Sequence, residues 1–439
     1  MNQTIKNFWA NRRQNAWIVV EITLVAILSF YFLDYFVVSF YDTHLCRPAG
    51  DFERDHLVVG QVGMSPQAAS PDSTGEASLA NLYALRDKVR ALPEVQYAGL
   101  ASDFVGEGYS SRLSTFRAEA DTMRWCGANS KCFLLGEQFF ETQGLTPVEG
   151  SPSAEKLSNE CPADGAIITR SMALALFGTD QAVGRRIVET DYDGDAVQHG
   201  PANKIVARYT VFGVVEDFRL KPRERYAYAV LTRVTALSNN TPKMLIRLRS
   251  SEDADEFVIR QNSAERQLDL MTGEYGLANA RTYTEYQEQI SNNVSDNMLF
   301  SIMGTFIALL LLNVVLGTLG TFWLQIRKRT EDIGIMRSFG AKRSNVLWML
   351  WREAALLTFV ACVIGWVIWL QFAMNIGLAQ GFTMTGTGQE TDWVNTFWLH
   401  YLVICAIQYV LLLIIVTIGM VVPTFRAMYK RPVEALRHE

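Results

Sequence analysis

The chain has 439 residues, 49% of them hydrophobic and 19% charged, with a formal net charge of -5. Four long apolar runs commit much of it to hydrocarbon and exclude a wholly water-soluble protein. The mildly acidic balance, with no long Lys/Arg cluster beyond the flanks of those runs, excludes a nucleic-acid binder.

Taken in chain order, residues 1–16 carry Lys6, Arg12 and Arg13 ahead of the first apolar run, 17–40. Helical residues rise ~1.5 Å each and roughly 20 of them cross a bilayer core, so a transmembrane helix is predicted over 17–41. The run is too long for a signal-peptide core and no small-residue cleavage site follows soon after it, so it reads as an uncleaved anchor.

Residues 42–296 contain no further membrane-length run and predict a folded extracytoplasmic domain with its own core. Within it 56–62 is β-like. Leu79, Leu82, Leu85, Val89 and Leu92 then recur near helical spacing until Pro93 stops them, and 95–101 predicts the next strand. Farther on, 209–215, 226–234 and 243–248 read as strands, 253–271 as a helix and 277–283 as a last strand. These units imply an α+β sheet with helices on one face. The intervening 104–207 has cues of its own, FLLGEQFFETQGLTPVEG, AIITRSMALALFG and AVGRRIVET, and reads as an inserted lobe. The first lobe is thereby expected at 42–103 and 208–290.

Cys46, Cys126, Cys132 and Cys161 fall in this domain, and Cys362 and Cys405 in apolar runs. Four cysteines allow three complete pairings. In WCGANSKC a Cys126–Cys132 disulfide would close a small loop; the alternative is free thiols packed as small hydrophobes. The five histidines are scattered without zinc-type spacing, so no metal site is expected. The acidic run 191–200, DYDGDAVQHG, lacks the remaining spacing of a calcium loop and reads as a hairpin turn.

Three more apolar runs, 299–324, 346–370 and 397–422, predict transmembrane helices over 297–325, 346–371 and 397–422. Cations cluster in 326–345 and in the tail 423–439, whereas 372–396 has no Lys or Arg. The positive-inside rule then puts both termini and 326–345 in the cytoplasm and the large domain outside. Glu21, Asp34, Gln371, His400 and Gln408 read as helix-packing or interfacial residues rather than an ion path. No phosphate loop, HExxH or GxSxG occurs, so catalysis within this chain is not expected.

The segment 327–345, RKRTEDIGIMRSFGAKRSN, is the most informative. With 328–339 helical, Thr330, Ile333 and Arg337 share one side, Ile335, Met336 and Phe339 put apolar bulk on another, and Gly340 supplies a stop. Such a helix either lies in the membrane interface or takes a protein partner.

RKRTEDIGIMRSFGAKRSNVLWMLWREA resembles the signature of MacB/FtsX-type ABC permeases, R-T-x-E-I-G-x-x-R-A-x-G-A. Arg329, Thr330, Ile333, Gly334, Arg337, Gly340 and Ala341 stand at matching positions, with Asp332 for the usual Glu and Ser338 for Ala. The tail PTFRAMYKRPVEALRHE is similar to the family's closing motif. FFETQGLTPVEG, AIITRSMALALFG, AVGRRI and YTVFGVVEDFR resemble the periplasmic domain of MacB-like proteins. The resemblance implies an α-helical membrane protein of four transmembrane helices with a large α+β extracytoplasmic domain, a ferredoxin-like porter lobe carrying an inserted second lobe. MacB-type exporters carry an ATPase ahead of the first span; with only 1–16 there, a separate ABC ATPase dimer is expected, holding the ATP and magnesium, while this chain takes no cofactor.

The implied coupling residues are Arg329, Glu331, Asp332, Ile333, Gly334, Ile335, Met336, Arg337 and Gly340. The further partners implied are a second permease copy or paralogue, a periplasmic adaptor with an outer-membrane duct, and membrane lipid. The implied function is mechanotransmission in the bacterial inner membrane, with export of a drug, peptide or other amphiphile from the periplasmic side. Lipoprotein extraction and FtsX-like regulation of cell-wall hydrolases are the alternatives.

Overall fold

Long apolar runs without interior breakers form long helices, and the computed structural model contains them. It describes residues 12–41, 45, 54–64, 75–105, 112–190, 204–220, 228–235, 237, 242–250, 252–293, 296–328, 335–336, 338–378, 393–394 and 396–429. The chain divides into two compact units, one made of the long helices and the other of the α+β stretch between the first two of them.

In the α+β unit the elements follow as β1 (Leu57–Met64), α2 (Gly75–Arg90), β2 (Val95–Ala101), β3 (Arg112–Ala118), β4 (Trp125–Leu134), α3 (Phe139–Gln143), α4 (Ala154–Glu160), β5 (Gly165–Thr169) and α5 (Arg170–Phe177). Then come β6 (Arg186–Thr190), β7 (Ile205–Val215), β8 (Ala229–Val234), β9 (Lys243–Leu248), α6 (Ala254–Gln261), α7 (Ala264–Leu270), β10 (Tyr275–Thr282) and α8 (Tyr283–Asn293). In the helical unit α1 is Arg12–Phe40, α9 is Asp296–Lys328, α10 is Arg343–Ile376 and α11 is Phe397–Tyr429.

Four strands form an antiparallel sheet in the order β10-β1-β9-β2. The pleat sends Val58 and Val62 to one face, against Leu82, Leu85 and Val89 of α2 and Phe257 of α6. Leu57, Val59 and Leu245 go to the other face, into a cluster with Phe133, Ile167, Val215 and Leu231. Those last residues belong to a closed six-stranded barrel, β3-β4-β8-β5-β7-β6, so sheet and barrel share one core.

This arrangement corrects the expected lobe boundary. β7 and β8, assigned by sequence to the first lobe, pair with β5, β6 and β4 inside the barrel, and the sheet is interrupted from 102 to 242. The expected helix 253–271 is two helices. Ser263 caps α7 by accepting from Arg266 N, and Asn262 exchanges hydrogen bonds with Ala280 of β10, which breaks the run at that point. The Cys126–Cys132 bridge is not formed. Both thiols are free and lie along the single strand β4, a separation of roughly 20 Å at about 3.3 Å per residue, far beyond disulfide reach. Cys126 is buried in the barrel, which pushes its thiol far above the usual range. Cys46 and the 191–200 run lie outside the described residues.

The segment after β4 pins the barrel to the sheet. Glu137, almost fully buried, meets Arg86 and Arg90 of α2 and accepts from Leu100 N at 3.0 Å. Arg247 Nε of β9 donates to Thr142 O at 2.9 Å. Here Gly99 is required by space, since a Cβ at that position would come within 1.9 Å of the Glu137 carbonyl oxygen. Gly99→Ala is therefore expected to cost about 1–3 kcal/mol of stability. Gly63→Ala, whose Cβ would meet only ordinary contact at 3.8 Å, should be near neutral. Thermal melts of the two variants side by side check the difference.

Among the described residues of the helical unit, three helices are long and apolar enough to cross a membrane, with spans Ile18–Phe40, Ser344–Asn375 and Phe397–Met420. The 33-residue α9 holds a shorter apolar stretch, Ser301–Gly317. Leu309, Leu316, Val367, Leu402 and Val410 stay exposed, as lipid-facing side chains do. α11 runs on through Pro423 into the expected tail; the missing N–H takes the helical partner only from the Gly419 carbonyl.

Candidate functional site

Of the predicted coupling residues, Arg329, Glu331, Asp332, Ile333, Gly334 and Arg337 lie outside the described residues. Ile335, Met336 and Gly340 are described, and they form the end of a capped helical turn. Phe339 N donates to Ile335 O at 3.1 Å and Ala341 N donates back to Met336 O at 3.0 Å. That second bond needs a left-handed residue between, and Gly340 supplies it with φ +88 and open space where a Cβ would stand. Ser338 Oγ donates to Ile335 O at 2.7 Å and tightens the turn.

The apolar residues of this turn divide into two faces. Met336 and Ala341 pack against a cluster that includes Ile18 and Ile22 of α1, Val346 and Leu350 of α10, and Val416 and Met420 of α11. Ile335 is 45% exposed and Phe339 is 89% exposed. Met336, grouped by sequence with the outward residues, is thus an inward anchor, and the outward apolar pair is Ile335 with Phe339. Spacing four apart in a helical turn is the signal that places those two on one face.

Below the turn, α1, α10 and α11 are laced by hydrogen bonds. Thr23 Oγ1 donates to Ala361 O at 3.2 Å. Gln408 Nε2 donates to Ala26 O at 2.7 Å and Ser29 Oγ at 2.9 Å, while its Oε1 accepts from Trp366 Nε1 at 2.7 Å. Trp351 Nε1 donates to Thr417 Oγ1 at 3.0 Å. Near the far end His400 Nε2 lies 2.6 Å from Asp34 Oδ1, and its Nδ1 lies 3.0 Å from Val394 O. Both ring nitrogens face oxygen, so the imidazole bridges the Asp34 carboxylate of α1 and the Val394 carbonyl ahead of α11. The intramembrane Asp34, His400 and Gln408 are therefore helix-to-helix fasteners. With these polar side chains bonded from one helix to another, the three move most cheaply as one body.

A second polar cluster, unsignalled in the sequence, sits in the shared core of the α+β unit. Lys131 is fully buried and pairs with Asp103 Oδ1 at 2.8 Å. Lys243 Nζ lies over the rings of Phe104 and Tyr286 at 5.4 and 5.5 Å; burial lowers its ammonium from the ordinary value and Asp103 partly offsets this. Among the described residues no group of three or more His, Cys, Asp or Glu is placed to hold a metal ion.

A laced bundle of apolar helices joined in sequence to a folded α+β unit defines a multi-helix membrane protein. Residues 304–432 match the family described as FtsX-like permease C-terminal. The chain is 25% identical over 305 residues to the macrolide export ATP-binding/permease protein MacB of Chromobacterium violaceum, covering 66% of this chain and 41% of that one. It is 22% identical over 300 residues to the MacB protein of Bartonella henselae, with the same coverage. Among solved structures, the extracellular domain of the noncanonic ABC-type transporter YknZ from Gram-positive bacteria is 12% identical at a TM-score of 0.28, covering 50% of this chain and 100% of that one. The chain spans 41% of the length of the curated relatives named here. Over these stretches the chain is similar to MacB/FtsX-like ABC permeases.

Proposed function

We propose that this chain is the membrane subunit of an ABC transporter of the mechanotransmission type, driven by a separate ATPase dimer that holds the ATP and magnesium. The observation that carries this reading is the two-faced turn at Ile335–Phe339, with its anchor seated in the bundle and its apolar pair exposed. An apolar pair on a short capped turn suits a helix-in-groove contact, and in this reading Glu331, Asp332 and Arg337 supply polar contacts to the ATPase. A push there is delivered to a hydrogen-bonded helix body. α1 and α9 then carry the motion along the chain to the α+β unit, whose shared core lets it respond as one block.

In this reading α9 is the fourth span, because 33 helical residues at ~1.5 Å each exceed a bilayer core. Both termini face the cytoplasm of the bacterial inner membrane, and the α+β unit is periplasmic. Its βαβ-βαβ order, with strands β1, β2, β9 and β10, supports a ferredoxin-like porter lobe that carries the barrel as an insertion. Two copies, or this chain with a paralogue, serve the two ATPase subunits. The work done outside is export of a drug, peptide or other amphiphile, through an adaptor and an outer-membrane duct.

Affinity purification of the tagged chain from its native membranes tests this. An ABC ATPase is expected in near-equal amount, together with a periplasmic adaptor. Recovery of a cell-wall hydrolase without an adaptor would replace export with regulation, and recovery of no ATPase would remove the motor.

A further inference from the structure

At one end of the barrel, the β3–β4 turn, the end of α5 and the start of β6 enclose an open cleft of about 680 Å³. Its apolar part is made by Leu176 and Phe177, the last residues of α5. Three arginines, Arg124, Arg185 and Arg186, line it against two carboxylates, Glu119 and Asp121. Those carboxylates are already engaged. Asp121 Oδ2 lies 3.5 Å from Arg124 Nε, and Glu119 is shared between Arg186 at 3.7 Å and Arg208 at 3.3 Å. Arg185 has no carboxylate partner among the described residues. Its guanidinium lies over the Phe177 ring at 5.1 Å, which fixes the planar fork beside apolar surface.

From this juxtaposition we infer that the cleft binds an amphiphilic carboxylate, an acid group next to an apolar one, as at the end of an apolar peptide or an acyl chain. Arg185 takes the carboxylate with its fork, as guanidinium groups do in paired N–H donation. Phe177 and Leu176 take the apolar neighbour, and Glu119 and Asp121 repel a second acid and restrict binding to one. The volume falls within the range of about 300–1,000 Å³ usual for small-ligand sites. Nothing in this site depends on the coupling turn, so the inference and the motor reading fail separately.

The test uses the full chain in nanodiscs of neutral phosphatidylcholine, without nucleotide, and saturation-transfer NMR with three probes: N-acetyl-leucyl-phenylalanine, its C-terminal amide, and octanoate. The free acids are expected to bind about tenfold or more tighter than the amide, and Arg185→Ala to remove about tenfold of that affinity, the scale of one lost charge-assisted contact. Whichever acid binds tighter identifies the peptide or acyl source. Arg185 is on the surface, so the variant should melt as the parent does; Arg185→Glu should abolish acid binding outright. Equal binding of acid and amide, or acid binding unchanged in both Arg185 variants, would overturn the site.

Discussion

The double variant Ile335→Asp, Phe339→Asp is expected to insert and melt like the parent while losing about 30-fold or more of its affinity for the copurifying ATPase, as removal of an interface anchor of 2 kcal/mol or more implies. Stimulated ATP turnover should fall with it. Both side chains are exposed and lend nothing to the bundle core, so folding has no reason to suffer. Met336→Asp makes the opposite separation. It presses a carboxylate against the apolar cluster around Ile22, Leu350 and Val416 and should lower the melting temperature of the detergent-solubilised protein. Titration of ATPase against each variant, with melts run alongside, reads both arms. Binding that survives the double variant would move the contact to another face.

Removing Asp34 should produce the largest stability loss in the helical unit. Asp34→Ala leaves His400 buried with one ring nitrogen facing nothing, and breaking a buried pair in this way costs about 3 kcal/mol or more. Asp34→Asn keeps an oxygen in place and should cost about 1 kcal/mol. Replacing both, as Asp34→Leu with His400→Phe, removes the penalty along with the bond and should come close to the parent. Thermal unfolding of the three in one detergent decides. If Asp34→Ala melts with the parent, the pair is no fastener.

How much of this was legible in the sequence depended on how local each signal was. The apolar runs, β2 at Val95–Ala101, α2 and the stop at Gly340 are local and stand where the residues predict. β4 hid because Asn129 and Lys131 are buried, so polar residues occupy inward positions and the alternation of a half-buried strand is lost. The assignment of β7 and β8 to the barrel follows from parallel pairing with β5 and β4, which no periodicity within those strands encodes. Asp34 and His400 lie on helices at opposite ends of the chain, and only the bundle brings them together. The split between Met336 and its neighbours was open for a related reason, since one helical turn has two sides and only packing says which side meets the core.

The most direct measurement places a photo-reactive benzoylphenylalanine at position 339 of the full chain and irradiates native membranes with and without ATP and vanadate. A crosslink to an ABC ATPase, changing in yield when nucleotide is trapped, is the predicted result. Capture of lipid alone at that position, with no ATPase in either state, would contradict it.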